Sequence, residues 1–447
     1  MKDKIFALLE QKKFNALFEL LAETNVVDIS SVMGELAKED MIRVFRLLAK
    51  DEATEVFSYM EPDDQVRLIS MFSDRELGTV LEEMYLDDTV DMINEMPATV
   101  VRRILSTSSA EQRKLINEFL KYPEDSAGSL MTNEFVDLKL NMSVRECIEK
   151  VRRDGIDKET IYTCYVLDET RRLIGIADIK DMLLADFDCC IGEIMESSLI
   201  FASTVEDKED VAKKFSKYDL IALPVVDSEN RLVGIVTVDD AIDVIIEETA
   251  EDFEIMSAIS PSDETYFKTS VFSHARNRIF WLLILMFSSI ISGSIISRYN
   301  NIIEMVPLLV VFLPMLMDTG GNCGVQTSTM IIRGMATDEI FLKDFPKALW
   351  KEFRISLYCA AVLSSFMFIR TYLQYRDIKM AVIISLAMIG AVIAAKVVSC
   401  VLPMLTKKMK LDPALIASPL ITTVVDAFST FLYFNIAIGV MNSAIPG

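Results

Sequence analysis

The chain has 447 residues, of which 45 are Lys or Arg and 67 are Asp or Glu, giving a formal net charge of −22 at pH 7. Residues 1–270 hold 30 basic against 58 acidic side chains and residues 271–447 hold 15 against 9, so an acidic soluble part precedes a membrane-type part. The acidic balance gives no basis for a nucleic-acid partner, and the single histidine, His274, excludes histidine-rich transition-metal sites.

Short helical units repeat between residues 35 and 120. Each has apolar residues at i, i+3 and i+4 and opens on an acidic or capping first turn, as in residues 37–48, 53–60 and 63–72. Units of this size bury their apolar faces by stacking on their neighbours. The pattern therefore predicts an all-α superhelical N domain over residues 1–128.

Residues 131–250 contain an internal duplication. Asp168 and Gly175 of the first copy recur 59 residues later as Asp227 and Gly234. Each copy has the pattern of a strand, a charged turn, a second strand entered through glycine, and a helix. This arrangement resembles the pair of CBS domains, a regulatory α/β module, and it predicts such domains at 129–192 and 193–246. CBS pairs often bind adenosyl nucleotides, so ATP is a candidate ligand.

Acidic side chains crowd the end of the second copy and the segment that follows. Residues 241–271 have the pattern of one long helix that joins the soluble part to the first membrane span, and we assign 247–272 to this connecting helix. Its acids stand at helical spacing, so like charges stack on neighbouring turns and cost stability unless cations screen them. Two interpretations remain open: an ordinary solvated acidic face, or a divalent-cation sensor whose bound ions bridge the carboxylates.

Five apolar segments are long enough to cross a membrane, and they define an α-helical transmembrane pore domain at 273–447. They lie near residues 279–298, 304–333, 354–374, 380–405 and 414–441. Since a long soluble part precedes the first span, we expect the N-terminal domains in the cytosol. The flanks and loops on that side hold eleven basic residues against four on the other, which agrees with an external C-terminus.

The second span carries an unusual polar segment at residues 314–326, with Asp318, three glycines, an Asn and a Gln. Because lipid does not tolerate exposed polar backbone, the segment is interpreted as a break in the helix that lines a watery cavity. Asp318 either lines this cavity or neutralises Lys396 of the fourth span. A structural pair between Lys396 and Asp426 is a further alternative.

Asp426 lies deep in the fifth span, on a helical face that it shares with Ser418, Thr422, Ser429 and Thr430. An intramembrane carboxylate costs at least about 2.5 kcal/mol and indicates function by default. Its neighbours and the predicted helix break offer only hard oxygen ligands, which suit Mg²⁺, Ca²⁺ or Mn²⁺. One carboxylate per chain fits Mg²⁺, which keeps several of its waters.

The whole chain resembles the MgtE family of magnesium channels and transporters, whose domain order it follows from end to end. The motifs that carry the resemblance lie at 122–128, 314–326, 332–336, 411–414 and 419–426. The resemblance implies a non-enzymatic homodimer in the cell membrane, with a pore between the two copies of the fifth span. In that pore hydrated Mg²⁺ would be held by Asp426, together with oxygens at or near Gly320, Gly321, Asn322, Thr422 and Ser429.

The resemblance also implies that cytosolic carboxylates sense Mg²⁺. They lie in the second CBS domain, the connecting helix, the loop before the fifth span and the N domain: Asp207, Glu209, Asp219, Asp240, Asp243, Glu248, Glu251, Asp252, Asp412, Asp88 and Asp91. The expected function is Mg²⁺-selective influx that closes when cytosolic Mg²⁺ binds these acids. Two alternatives remain open, a broader transporter that also carries Co²⁺ or Mn²⁺, and a membrane-anchored nucleotide sensor without transport.

Overall fold

The structure is a computed structural model that describes residues 1–262, 266–416 and 418–442. The chain forms two compact units, Met1–Ile246 and Glu247–Gly447. The first unit contains short helices followed by two small sheets, and the second contains long apolar helices. The order of these elements agrees with the multidomain fold class predicted from the sequence.

Ten short helices open the first unit. Each is 8–10 residues long, and two begin at capping boxes, Ser73 with Glu76 and Ser109 with Gln112. Alternate helices contact each other, α3 with α5, α5 with α7 and α7 with α9, as in a superhelical stack. The bounds of α1 to α10 are Lys2–Glu10, Phe14–Ala22, Val26–Gly34, Lys38–Phe45, Lys50–Ser58, Pro62–Ile69, Asp74–Glu83, Leu86–Glu95, Ala98–Thr107 and Ala110–Phe119.

Two copies of one α/β arrangement follow. A short helix α11 leads into the first copy, and a short helix α14 separates the copies. The bounds from α11 to α14 are α11 Ala127–Leu130, β1 Asp137–Lys139, α12 Val144–Asp154, β2 Thr163–Leu167, β3 Leu173–Asp178, α13 Ile179–Leu184 and α14 Ile191–Ile194. The second copy comprises β4 Ala202–Ser203, α15 Lys208–Tyr218, β5 Ala222–Val226, β6 Leu232–Thr237 and α16 Val238–Met256.

The duplication predicted from the sequence extends to strand register. In each copy the first strand runs parallel to the second, and the second runs antiparallel to the third. Val166 pairs with Gly175 in the first sheet, and Val225 pairs with Gly234 in the second. Both sheets show a register irregularity directly after this pair. The two copies are therefore built alike, down to the position of a local bulge.

The helix that leaves the second copy is shorter than predicted. The expectation of one helix over 241–271 is wrong at its C-terminal end, because α16 ends at Met256 and the next helix begins at Val271. Residues 257–262 and 266–270 between the two helices are not helical, and residues 263–265 lie outside the described part of the chain.

A Schellman motif ends α16. The Ile259 N–H donates to the Glu254 carbonyl and the Ala258 N–H donates to the Ile255 carbonyl, both at 2.9 Å, while Ala258 adopts the left-handed conformation with φ 55°. Pro261 follows, and a proline has no N–H with which to continue a helical ladder. Pro261 stands in the sequence itself, so the prediction overextends the helix because it follows the acidic periodicity of residues 240–252 past a proline.

Among the described residues of the second unit, five helices are long and apolar enough to cross a membrane, as predicted. The central one, α21, contacts α19, α20 and α22, whereas only 6% of the apolar window of α17 is buried. The side chains of α19 and α22 therefore meet beside α21. The bounds are α17 Val271–Ser297, α18 Asn300–Met305 (a short connecting helix), α19 Leu308–Ala336, α20 Phe345–Tyr375, α21 Ile378–Lys408 and α22 Ser418–Asn442.

Candidate functional site

Asp426 lies half-buried on α22, where α22 packs closely on α19. A Cβ atom at Gly321 would lie 3.3 Å from Thr422 Cγ2 and 3.9 Å from Asp426 Oδ1. A Cβ atom at Gly320 would lie 3.1 Å from the Ser429 hydroxyl oxygen. The glycines thus let the two backbones approach, as small residues do between membrane helices. The structure brings together four of the predicted site residues: Gly321, Thr422, Asp426 and Ser429.

α19 is continuous through residues 314–326, so the predicted break in this helix is wrong. The glycines of this segment serve close packing instead of unwinding. At Gly324, for example, a Cβ atom would lie 2.8 Å from the Ser399 hydroxyl oxygen of α21 and 3.2 Å from Ile421 of α22. The backbone carbonyls of a continuous helix accept hydrogen bonds within the helix. An ion beside α19 would therefore be bound by side-chain oxygens and water and not by backbone oxygens.

The polar side chains of the same segment form an exposed stripe on α19. Asp318, Asn322 and Gln326 stand at i, i+4 and i+8, and all three are exposed. The Asn322 side-chain amide donates a 3.3 Å hydrogen bond to Asp318. The predicted ligand Asn322 therefore belongs to this stripe, whereas the buried glycines face α21 and α22.

Lys396 of α21 pairs with a residue that the sequence did not single out. Its Nζ lies 3.7 Å from Oε2 of Glu352 on α20 and donates a 3.1 Å hydrogen bond to the Thr327 hydroxyl of α19. Thr327 in turn donates to the Glu352 carboxylate at 3.0 Å. Both pairings expected from the sequence, Lys396 with Asp318 and Lys396 with Asp426, are therefore wrong.

Glu352 escaped the sequence analysis because the third span was predicted to begin at residue 354, whereas α20 begins at Phe345. The Lys396 side chain is 6% exposed and the Glu352 side chain 12% exposed. Two opposite charges and a hydroxyl thus meet in the buried junction of three membrane helices. Thr327 of α19 contacts both members of this pair, and among the described residues no lysine nitrogen lies within 4.0 Å of the Asp318 or Asp426 carboxylate.

Glu352→Gln is expected to destabilise the membrane unit by about 3–5 kcal/mol, because it leaves the Lys396 charge buried without its partner. The midpoint of thermal unfolding in detergent measures the effect. The double variant Glu352→Gln/Lys396→Met should recover most of the loss, since no charge then remains buried. As a control, Glu339→Gln removes one partner of the exposed Arg333–Glu339 pair and should change stability by at most about 1 kcal/mol. Equal midpoints for Glu352→Gln and the wild type would contradict this role of the pair.

Three of the acids predicted in the second CBS domain, Asp207, Glu209 and Asp219, lie at the two ends of α15. Asp207 is the N-cap residue, and its carboxylate accepts a 2.9 Å hydrogen bond from the Glu209 backbone N–H. Asp219 ends the helix in the left-handed conformation with φ 52°, which aspartate tolerates. The helix has 11 residues and therefore separates the two ends by about 16 Å. These carboxylates do not form one cluster within the first unit.

α16 carries five of the predicted sensor acids on one helix: Asp240, Asp243, Glu248, Glu251 and Asp252. Asp412 is exposed, and its carboxylate accepts the Ala414 N–H at 2.8 Å at the start of a helical turn before α22. Over 1–262, 266–416 and 418–442, no three His, Cys, Asp or Glu side chains lie close enough to hold a metal ion. The sensor role of these acids stays a prediction.

A cluster of acids lies within the first unit, where the N-terminal helices meet the CBS domains. It comprises Asp87 and Asp88 in the first turn of α8, Glu159 of the first CBS domain, and Asp239 and Asp240 at the start of α16. Asp87 is 8% exposed, and its Oδ1 has no hydrogen-bond partner among the described residues. The structure therefore gathers Asp88 and Asp240, predicted separately, into one acidic environment.

Burial and mutual repulsion disfavour the charged forms of these acids. Burial, with repulsion from Asp239 and other acids, raises the pKa of Glu159 to about 8 and that of Asp88 to about 6. The pKa of Asp240 rises to about 6, mainly by burial, although a 2.6 Å hydrogen bond from the Thr237 hydroxyl opposes the shift. A bound cation or a proton would reduce the repulsion between these carboxylates.

Three members of the cluster, Asp87, Asp239 and Glu159, were not among the predicted sensor residues. Adjacent acids in a helix first turn could have pointed to Asp87, whereas Glu159 lies in a connecting segment without any pattern. Asp91, also predicted as a sensor residue, lies one turn further along α8 and is exposed.

The first unit is expected to lose stability as pH rises from about 5 to about 8 without divalent cations. A carboxyl group whose pKa is raised by folding stabilises the folded state while it is protonated, and this contribution is lost as pH rises through the folded-state pKa. The loss begins near the unfolded-state pKa of about 4 and is complete at the folded-state pKa, about 6 for Asp88 and Asp240 and about 8 for Glu159. Thermal unfolding at several pH values measures the slope. Glu159→Gln should raise the midpoint of thermal unfolding at pH 8, whereas the exposed control Glu111→Gln should not. If the midpoints of both variants change with pH in the same way, the cluster is not the cause.

Family models match most of the chain. The model of the MgtE divalent cation transporter matches residues 313–436, the model of the MgtE intracellular N domain matches 24–125, and the CBS-domain model matches 127–188 and 191–247.

Similar proteins cover almost the full length. The chain is 34% identical to the magnesium transporter MgtE of Thermus thermophilus over 434 residues, 96% of each chain. It is 30% identical to the magnesium transporter MgtE of Bacillus subtilis over 440 residues, 98% of this chain and 97% of that one. A crystal structure of the cytosolic domain of the Mg²⁺ channel MgtE in complex with ATP aligns with a TM-score of 0.52 at 36% identity, covering 55% of this chain and 100% of that chain.

Proposed function

The chain belongs to the MgtE family of magnesium transporters, and on this premise we propose that it conducts Mg²⁺ into the cell along a path past Asp426. It is a multi-pass membrane protein with cytosolic N-terminal domains, in a family of transporters and not of enzymes. The observation that carries the proposal is the half-buried Asp426 carboxylate on α22, inside the transporter match and packed beside Gly321 of α19.

The oxygen donors around Asp426 suit a hard divalent cation. Its carboxylate and the Thr422 and Ser429 side chains lie where α22 packs against Gly320 and Gly321 of α19, and all three carry oxygen donors. Mg²⁺ dehydrates reluctantly and keeps several waters, so a small number of carboxylates is sufficient to hold it. The transported species in this proposal is hydrated Mg²⁺.

The protein acts as a homodimer in this proposal, with two copies of Asp426 facing one ion path. The support is the exposed polar stripe of α19 on an otherwise apolar helix. Polar side chains at membrane depth must meet water or protein, and a path between two copies would supply both. The distribution of basic residues then orients the C-terminus to the outside.

Cytosolic Mg²⁺ closes the path by binding the acids of the cytosolic domains and α16. Carboxylates on neighbouring turns of α16 repel each other, and the cluster around Asp88 and Asp240 is partly buried in spite of its own repulsion. Divalent cations relieve both, so they favour the state in which these acids lie closest together. Mg²⁺ shifts the population because it binds this closed state more tightly than the open one.

ATP is a second ligand in this proposal, bound at the CBS pair. The support is the likeness to the cytosolic domain that was crystallised with ATP, which covers 55% of this chain at 36% identity. The nucleotide would modulate the cytosolic domains and is not required for the ion path itself.

Mg²⁺ uptake into liposomes that contain the purified protein, followed with an internal fluorescent indicator, tests the proposal. We expect uptake well above that of protein-free vesicles, weakly reduced by equimolar Co²⁺ or Mn²⁺. Strong competition by these ions would favour the broader divalent transporter. Absence of uptake by a folded protein that binds ATP would favour the membrane-anchored nucleotide sensor.

A further inference from the structure

Asp318 places a carboxylate on the exposed side of α19, about 15 Å from the start of this 29-residue helix. A charge at this depth costs at least about 2.5 kcal/mol unless it meets water or an opposite charge. Among the described residues, Asp318 accepts a hydrogen bond from Asn322, and no Lys, Arg or His nitrogen lies within 4.0 Å of its carboxylate. Its charge is therefore uncompensated within one chain.

Lys396, the buried lysine of α21, already has partners on two other helices. Lys396 pairs with Glu352 and Thr327 on the opposite side of α19, because residue 327 stands nine positions after 318 and nine residues correspond to two and a half helical turns. Asp318 therefore cannot share this cation without breaking a buried pair, which would itself be strongly destabilising.

Asp318 stands three residues before Gly321 on α19, so the two are neighbours along the helix surface, and a Cβ atom at Gly321 would lie 3.9 Å from Asp426 Oδ1. The Asp318 and Asp426 carboxylates come from different helices, α19 and α22, which the glycine contact at Gly321 holds together. Two like charges at membrane depth repel each other unless a cation lies between them or beside them. A divalent cation relieves this repulsion more strongly than a monovalent one at the same place, because its attraction to each carboxylate is about twice as large.

We propose that Asp318 is a second carboxylate of the ion path, which attracts the divalent cation together with Asp426 and makes the path specific for divalent ions. Asn322 and Gln326 continue the same polar wall over about 12 Å of α19. A hydrated Mg²⁺ ion can contact both carboxylates through its bound waters, and its double charge is attracted about twice as strongly as a single charge at the same distance. This inference rests on the proposed function of Asp426 and adds a specificity-determining residue to that site.

The test is Mg²⁺ uptake by proteoliposomes as a function of external Mg²⁺ for the wild type, Asp318→Asn and Asp318→Glu. Asp318→Asn should raise the half-saturating Mg²⁺ concentration roughly tenfold, which corresponds to a loss of about 1.4 kcal/mol of attraction, and should retain most of the maximal flux. Asp318→Glu should restore the wild-type half-saturating Mg²⁺ concentration because it restores the charge. Asp338→Asn removes an exposed carboxylate outside the spans and serves as the matched control with unchanged half-saturation.

The outcomes separate this inference from the proposed function. An unchanged half-saturating concentration in Asp318→Asn, with active wild type and inactive Asp426→Asn, would overturn the role of Asp318 and leave the path at Asp426 intact. A lower maximal flux at unchanged half-saturation, not rescued by Asp318→Glu, would assign Asp318 to helix packing and also overturn it. Absence of uptake by the wild type would overturn both proposals.

Discussion

Asp426→Asn is expected to reduce Mg²⁺ influx at least about 100-fold, a loss of about 2.7 kcal/mol. The substitution keeps the shape of the side chain and removes the charge that offsets the partial dehydration of the ion. Asn at this position offers one neutral carbonyl oxygen, which binds Mg²⁺ far more weakly than a carboxylate does. The measurement is the initial rate of Mg²⁺ uptake into proteoliposomes with low internal Mg²⁺.

Two controls test whether the loss of uptake is specific to Asp426. Asp338→Asn makes the same chemical change outside the spans and should leave the uptake rate unchanged. Thermal unfolding of Asp426→Asn should show a stability equal to or above that of the wild type, since removing a half-buried charge does not cost packing. Wild-type uptake in a folded Asp426→Asn protein would move the path away from α22.

Replacing Asp243, Glu251 and Asp252 together by Asn, Gln and Asn is expected to leave the path open at cytosolic Mg²⁺ concentrations that close the wild type. All three acids lie on α16, and each removed charge weakens the attraction for the ions that favour the closed state. We expect the half-inhibitory internal Mg²⁺ concentration to rise at least about tenfold, while uptake at low internal Mg²⁺ stays at the wild-type rate.

The control for this triple variant removes the same number of charges from the exposed surface of the first two helices: Asp3→Asn, Glu10→Gln and Glu19→Gln. It should keep the wild-type inhibition curve, since it changes the net charge equally without touching α16. If both triple variants shift the curve alike, the effect is one of overall charge, and the sensor does not lie on α16.

The sequence predicts the elements that depend on local patterns. The 59-residue repeat predicts two equivalent sheets, and their registers, Val166 with Gly175 and Val225 with Gly234, repeat at that spacing. Five apolar runs predict five spanning helices, because length and hydropathy are properties of each segment alone. The domain boundaries drawn from the sequence stay predictions.

Tertiary contacts account for the errors. Glycines and a proline within 314–326 resemble a helix break, but the helix continues through them. The glycines instead allow α21 and α22 to pack closely against α19. The partner of Lys396 could not be predicted from the sequence, because Glu352 is 44 residues away on another helix and lies just before the start of the predicted third span. Asp87 and Glu159 likewise meet only through folding.

The most direct test of the account is the current carried by Mg²⁺ through the purified protein in excised membrane patches, recorded while Mg²⁺ on the cytosolic face is stepped from micromolar to millimolar concentrations. The account predicts Mg²⁺ current at the low concentration and its reversible loss at the high one. Current that is indifferent to cytosolic Mg²⁺ would contradict the gating, and no Mg²⁺ current at either concentration would contradict conduction itself.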